Sequence, residues 1–136
     1  MRLKPENETR LLLEVPKLDP RLAVILLHVD AYHGREIIIT HLHRTQVEQD
    51  EIYENHPLQS VREKYKSNPW VSVHQCLPVR GADLRADDRA DEIANFINRH
   101  WQYDPNRPAF LCAIVHDSGH GRHIHVQTHL NTIYII

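Results

Sequence analysis

The chain has 136 residues, of which 41% are hydrophobic and 25% charged, so it is long enough for one soluble folded domain and too short for two. Its net charge of −2 argues against the basic surface of a typical nucleic-acid-binding protein, and two cysteines indicate no disulfide framework. The charged segment after Met1 and the lack of a run of ~20 apolar residues predict no signal peptide and no membrane association, hence a protein that is cytoplasmic as synthesised.

Residues 1–18 predict a short N-terminal arm, extended or helical, attached to a single domain that spans residues 1–136. Asp19 and Pro20 form a typical helix start, with Asp as the N-cap and Pro at the first helical position. Gly34 is expected to end this helix. Four apolar residues recur at helical spacing and are expected to face the core: Leu22, Ile25, Leu26 and Val29.

The β-branched run Glu36–Leu42 predicts a strand that leads directly into a helix. Thr45 and Glu48 have the spacing of a capping box for a helix over Gln46–Asn55. Arg44 therefore lies where a strand passes into a helix, a usual place for side chains that bind substrate. Two apolar residues of this helix are expected to face inward: Val47 and Ile52.

A second strand is predicted over Trp70–Val73, immediately before His74. After a loop with Pro78 and Gly81, the chain is expected to re-enter a strand over Ala82–Leu84. Asp83 is surrounded by small and apolar residues in this strand, and a carboxylate drawn toward a core needs a cation or a metal as partner.

A helix is predicted from about Asp88 to Trp101, capped by Asp87 or Asp88. Its apolar stripe is expected to pack on the sheet: Ile93, Phe96, Ile97 and Trp101.

The last third of the chain predicts a β-hairpin, because the apolar run Phe110–Val115 is followed by turn-forming residues from Asp117 to Gly121. In the returning strand, alternation places His123 and His125 on one face and the apolar residues between them on the other. The final residues, Asn131–Ile136, are expected to form an apolar strand or arm.

Five polar residues thus occur among apolar neighbours: Arg44, His74, Asp83, His123 and His125. Two histidines and one carboxylate with an open fourth position form a recurring catalytic zinc site, in which the metal lowers the pKa of bound water to ~7. Strand position alone allows either His123 or His125 to reach the metal.

Three short motifs occur in the order found in the M15 peptidases, the zinc D,D-carboxypeptidases and endopeptidases that share their fold with the hedgehog signalling domain. The chain resembles this family in Ser72-x-His74, in Gly81-Ala82-Asp83, in His123-x-His125 and in the arginine segment with Arg44, Gln49 and Tyr53. The resemblance covers roughly residues 36–128. It implies an α+β domain in which an antiparallel sheet carries the zinc site and helices pack on one side.

By this resemblance, His74, Asp83 and His125 would bind zinc, and His123 would act as base or transition-state stabiliser. His120 matches an additional active-site histidine of the endopeptidase branch. Arg44 would polarise the scissile carbonyl or hold a substrate carboxylate, with Ser72 and Gln49 as further substrate-binding residues. The implied activity is hydrolysis of amide bonds in peptidoglycan stem peptides or muropeptides, which suits a phage-type lysis enzyme with access to the cell wall or a cytoplasmic muropeptide-trimming enzyme.

The sequence departs from the family at one spacing, since eight residues separate His74 from Asp83 where the family has six. Two extra residues preserve the parity of a strand, so a wider loop is compatible with the same site. Two alternative functions remain open at this point. One is a non-catalytic metal-binding module of the same fold, and the other is a single-strand DNA nickase that uses the His-hydrophobe-His strand and Tyr53.

Overall fold

The structure, a computed structural model, describes residues 1–33, 37–117 and 121–135. Within these segments the α-helices are α1 (Glu8–Glu14), α2 (Pro20–His33), α3 (Gln46–Glu54), α4 (Gln59–Ser67) and α5 (Ala90–His100). The strands there are β1 (Arg2–Leu3), β2 (Ile38–His41), β3 (Gly81–Arg85), β4 (Trp101–Gln102), β5 (Ala113–Asp117), β6 (Arg122–Gln127) and β7 (Ile133–Tyr134). Several predicted features lie outside the described residues: the helix end at Gly34, the strand start at Glu36, the turn residues Ser118 and Gly119, His120, and the terminal Ile136.

The main sheet has five strands in the order β1-β2-β3-β6-β5. Only the β1–β2 pair of this sheet is parallel, and the three remaining pairs are antiparallel. A separate two-stranded sheet joins β4 to β7. The chain is therefore a single α+β domain with a mostly antiparallel sheet, as predicted from the sequence.

The two faces of the main sheet differ sharply in polarity. Between β3 and β6, Ala82 lies opposite Val126 and Leu84 lies opposite Ile124, and all four side chains are completely buried. Helix α5 packs on this apolar face through β5 and β6, and α2 packs in turn on α5. The same alternation places Asp83 opposite His125 on the other face, away from the core.

Helix α3 borders a cleft over this polar face, so the helices do not all pack on one side as predicted. Its single buried residue is Gln49, whereas Val47 and Ile52 are exposed, contrary to the prediction. The capping box of Thr45 and Glu48 is confirmed. A helix whose buried position carries an amide rather than an apolar side chain has no reason to join the hydrophobic core.

The two core helices follow their predicted patterns closely. Asp19 caps α2 by accepting a hydrogen bond from the Arg21 amide at 2.9 Å, and the four predicted core residues of α2 are buried. In α5, Ile93, Phe96 and Ile97 are buried as predicted. Trp101 is only partly buried, because the helix has ended and Trp101 begins β4. The predicted cap is also wrong, since Asp87 and Asp88 lie in a 3₁₀ turn and Arg89 occupies the N-cap.

The predicted strand over Trp70–Val73 is also absent from the described residues. This stretch is extended up to Ser72 and then enters a 3₁₀ turn, Val73–Gln75. Ser72 closes a local capping box around that turn with Gln75, which satisfies backbone groups that a strand would have paired with a neighbour. In the described parts of the chain, no helix combines the length and apolar character that crossing a membrane requires.

Candidate metal centre

Three side chains from separate parts of the chain converge on the polar face of the sheet. His74 comes from the 3₁₀ turn, Asp83 from β3 and His125 from β6. Potential ligand atoms of these three residues lie within 4.8 Å of one another. His74 and Asp83 are buried, and His125 is partly buried. The local folds that place them are the capped turn for His74 and the direct cross-strand pairing of Asp83 with His125.

The ring of His74 is held in a single orientation by the backbone. Its Nδ1 atom lies 2.6 Å from the carbonyl oxygen of Leu42, which can only accept a hydrogen bond, so the ring proton resides on Nδ1. The Nε2 atom then carries a lone pair. Nε2 is buried without a hydrogen-bond partner among the described residues, although it lies 3.3 Å from Asp83 Oδ1. That contact therefore brings two lone pairs face to face.

A side-chain amide fixes His125 in a corresponding way. Gln127 donates from Nε2 to the Leu111 carbonyl at 2.8 Å, which turns its Oε1 atom toward His125. Oε1 lies 3.2 Å from His125 Nε2, so that nitrogen carries the proton. The unprotonated Nδ1 atom is then left 3.2 Å from Asp83 Oδ1. Such outer partners are the usual means by which proteins orient metal-binding histidines.

Asp83 completes the group as an ionised carboxylate. Burial by itself raises the pKa of Asp83, but when the facing nitrogens of His125 and His74 carry protons, their hydrogen bonds and positive charge more than offset burial and hold the pKa well below its usual value. Two imidazole nitrogens and a carboxylate oxygen thus point at one place, where only protons or a metal cation can satisfy all three. The group could hold a metal ion, and its buried, unpartnered His74 Nε2 is the atom that fits this use most directly.

The wider loop between His74 and Asp83 does not separate them. The chain folds back so that Gly81, at the start of β3, lies directly against the turn that carries His74. A Cβ atom at position 81 would lie 2.7 Å from Val73 Cγ2 and 3.2 Å from His74 Nδ1. Only glycine permits this approach, and the close contact fixes the turn over the strand.

Comparison with known proteins adds no identification. No protein-family model, no curated protein and no solved structure matches this chain. The resemblance to the M15 peptidases accordingly rests on the motifs of this sequence alone.

The three converging residues lie in an open cleft of about 1250 Å³ between α3 and the polar face of the sheet. Arg44, Ser72 and His123, all predicted site residues, also line this cleft. Basic side chains from four parts of the chain line it as well: Lys4, Arg44, Arg85 and Arg122. The cleft is larger than a typical small-molecule pocket.

Arg44 is anchored to the centre through its main chain and its side chain. Its amide donates to the His74 carbonyl at 2.8 Å, and Nη1 donates to Gln49 Oε1 at 2.6 Å. Gln49 is completely buried and donates to the Trp70 carbonyl, so it supports Arg44 from behind. The hydroxyl oxygen of Ser72 accepts from the His74 amide at 3.2 Å, and this contact does not use the hydroxyl hydrogen.

Two further histidines of the hairpin, His116 and His123, lie close to His125 and to each other. His123 lies directly opposite His116 across the β5–β6 pair, with ring centroids 4.2 Å apart. Burial lowers the pKa of His116, and the neighbouring His123 and His125 lower it further. His120, the remaining predicted catalytic residue, lies outside the described residues.

Sequence reasoning missed His116 and Gln127 as members of the site. The strand alternation was a signal for Gln127, which is two residues from His125 and therefore on the same face. What the sequence lacked was the register of β5 against β6, which decides that His116 faces His123.

Proposed function

We propose that this chain is a zinc-dependent peptidase of the M15 type, with the fold shared by the hedgehog signalling domain. We further propose that it hydrolyses amide bonds in peptidoglycan stem peptides, as a D,D-carboxypeptidase or an endopeptidase. The observation that carries the proposal is the convergence of His74 Nε2, Asp83 Oδ1 and His125 Nδ1 at the floor of an open cleft.

The donor set favours zinc among the common biological metals. Two neutral imidazoles and one carboxylate suit a borderline cation, whereas magnesium and calcium prefer oxygen ligands throughout. Three protein ligands leave a fourth position open to the cleft, which is the usual difference between a catalytic and a structural zinc site. When bound there, zinc would activate water for attack on an amide carbonyl.

His123 is assigned to proton transfer in this proposal. It shares its strand face with His125, and its Nδ1 atom lies 3.4 Å from the Gly121 carbonyl. A proton on Nδ1 leaves the Nε2 lone pair available to take a proton from the attacking water and return it to the leaving amine.

Arg44 is assigned to the substrate. One of its five N–H groups is bonded to Gln49, and the guanidinium has others with which to hold a carbonyl or carboxylate oxygen of the peptide. Because Gln49 is anchored to the Trp70 carbonyl, the guanidinium is held in place before substrate binds, which favours stabilisation of developing negative charge.

The test combines metal content with turnover on one preparation. Protein purified without chelator is expected to contain about one zinc per chain, and to release a fragment from a muramyl pentapeptide that mass spectrometry identifies. Asp83→Asn is the matched inactive control, since it removes the carboxylate charge and keeps the side-chain shape. If zinc-loaded protein cleaves no stem peptide, the result would contradict the peptidase and support a non-catalytic metal-binding module. If the protein instead nicks single-stranded DNA through Tyr53, the result would support the nickase.

A further inference from the structure

We infer that His116 and His123 form a second, weaker site for a divalent transition-metal ion, and that metal bound there inhibits the enzyme. The binding itself is independent of the proposed function, whereas the inhibition rests on it. The two residues occupy directly opposed positions of β5 and β6 on the polar face of the sheet. Side chains at opposed positions of an antiparallel pair have Cβ atoms ~5 Å apart, close enough to share one ion.

The two rings are close enough to share one metal ion. The centroids of His116 and His123 are 4.2 Å apart and the rings are inclined by 53°, so they are not stacked on each other. An ion bonded to one nitrogen of each ring at ~2.0–2.1 Å needs the two nitrogens about 3.3 Å apart in tetrahedral geometry. The two rings must rotate about their side-chain bonds to reach that arrangement.

Both rings have nitrogens to offer. In the described part of the chain, His116 has ring contacts with His123 and His125 but no hydrogen-bond or ion-pair partner. His123 has only the long contact from Nδ1 to Gly121, so its Nε2 atom is available. A pair of imidazoles favours zinc, copper, nickel or cobalt over magnesium and calcium.

This site is distinct from the first one. Among the described residues, only His74, Asp83 and His125 bring three potential ligand atoms within 4.8 Å of one another. His123 lies two residues from His125 along β6, a distance of ~7 Å in a strand. With two protein ligands, no carboxylate and a second cation nearby, the His116–His123 site is expected to bind more weakly. It would fill only when metal exceeds one equivalent, and it would then occupy the nitrogen that His123 needs for proton transfer.

The number of zinc ions bound per chain tests whether the second site exists. Equilibrium dialysis of the wild-type protein is expected to give two equivalents, the second at least about tenfold weaker than the first. His116→Ala and His116→Phe are expected to bind one, and the phenylalanine variant keeps a ring against His123. His41→Ala, which removes another histidine of the same cleft, should still bind two. A single equivalent in the wild type, or two in both His116 variants, would overturn the inference.

A second variant separates this inference from the proposed function. His74→Ala removes a ligand of the first site and is expected to retain the weaker equivalent, which His74→Ala combined with His116→Phe should lose. Retention of that equivalent in the double variant would overturn the inference.

The rate of stem-peptide cleavage by the wild type should fall as zinc rises above one equivalent per chain. The cleavage rate of each variant is normalised to its own rate at one equivalent. His116→Phe should shift the inhibitory zinc concentration upward by about tenfold or more. Cleavage that excess zinc leaves unchanged would refute the inhibition. A wild type that binds two ions and cleaves nothing would refute the peptidase and leave the second site standing.

Discussion

His74 Nε2 lies 3.3 Å from Asp83 Oδ1, although eight residues separate the two positions in the chain. The intervening loop returns to the sheet at Gly81, which lies so close to the His74 turn that a Cβ atom would collide with it. The spacing by which the sequence departs from the M15 pattern is therefore absorbed by a loop and a glycine. The convergence of these two side chains is thus compatible with the longer loop.

The first prediction separates a ligand from a proton-transfer residue within one strand. His125→Ala should lose zinc and activity together, because it removes one of three ligands. His123→Ala should keep one zinc and lose stem-peptide cleavage by about 10²-fold or more, the usual effect of removing a general acid–base group. Metal analysis and cleavage rates on the same preparations provide the measurement. Loss of the tightly bound zinc in both variants would mean that His123 is a ligand.

The second prediction concerns the amide that orients His125. Gln127→Met keeps the side-chain length and removes the contact at 3.2 Å that fixes the imidazole proton on Nε2. Zinc affinity should fall by about 10- to 100-fold, the usual range for an outer partner of a metal ligand. Competition with a chromophoric chelator measures the change. Gln59→Met is the control and should leave the affinity unaltered, because Gln59 is an exposed residue of α4 whose amide donates to Glu63.

The third prediction tests the packing of α5 against α2, whose His28 and His33 rings lie with their centroids 4.8 Å from that of Phe96. Phe96 is buried among the side chains of the core, so Phe96→Ala should lower the free energy of unfolding by about 3–5 kcal/mol. Leu27→Ala on the exposed side of α2 should change it by less than about 0.5 kcal/mol. Urea unfolding followed by circular dichroism measures both. Equal effects of the two substitutions would contradict the assignment of the buried face.

The fourth prediction concerns the effect of acid on the ion pair that joins α1 of the N-terminal arm to α3. Arg10 in α1 donates two hydrogen bonds of 2.6 Å to the Glu48 carboxylate in α3, and this pairing lowers the pKa of Glu48 from 4.5 to about 2. Because the folded pKa is the lower one, the pair stabilises the protein above pH 4.5, and this contribution is lost as the pH falls from 4.5 to about 2.

Both side chains are partly exposed, so solvent screening keeps the contribution small. Glu48→Gln should therefore show a slightly flatter loss of stability with acid in urea unfolding between pH 6 and pH 2. Glu54→Gln, an exposed residue at the end of the same helix, should retain the wild-type slope. A Glu48→Gln profile parallel to the wild type would contradict the pairing.

Local patterns in the sequence determined much of the fold. The period of Leu22, Ile25, Leu26 and Val29 predicted a core helix, and Asp19 predicted where it begins, because caps and helical periodicity depend on neighbouring residues. The alternation around Ile124 likewise placed His123 and His125 on one face without knowledge of any partner strand. The motif order also indicated which residues belong to one site.

Only the tertiary structure decided how these residues meet. Gln49 proved to be a buried support of Arg44, the predicted strand before His74 proved to be a capped turn, and His116 proved to face His123. The burial of Gln49 against Trp70 and the pairing of His116 with His123 depend on contacts between separate segments. Such contacts are set by strand register and loop closure, which the residue pattern of a single segment does not encode. The capped turn is local, but its Ser72–Gln75 capping box competes with the strand that the apolar pattern predicts.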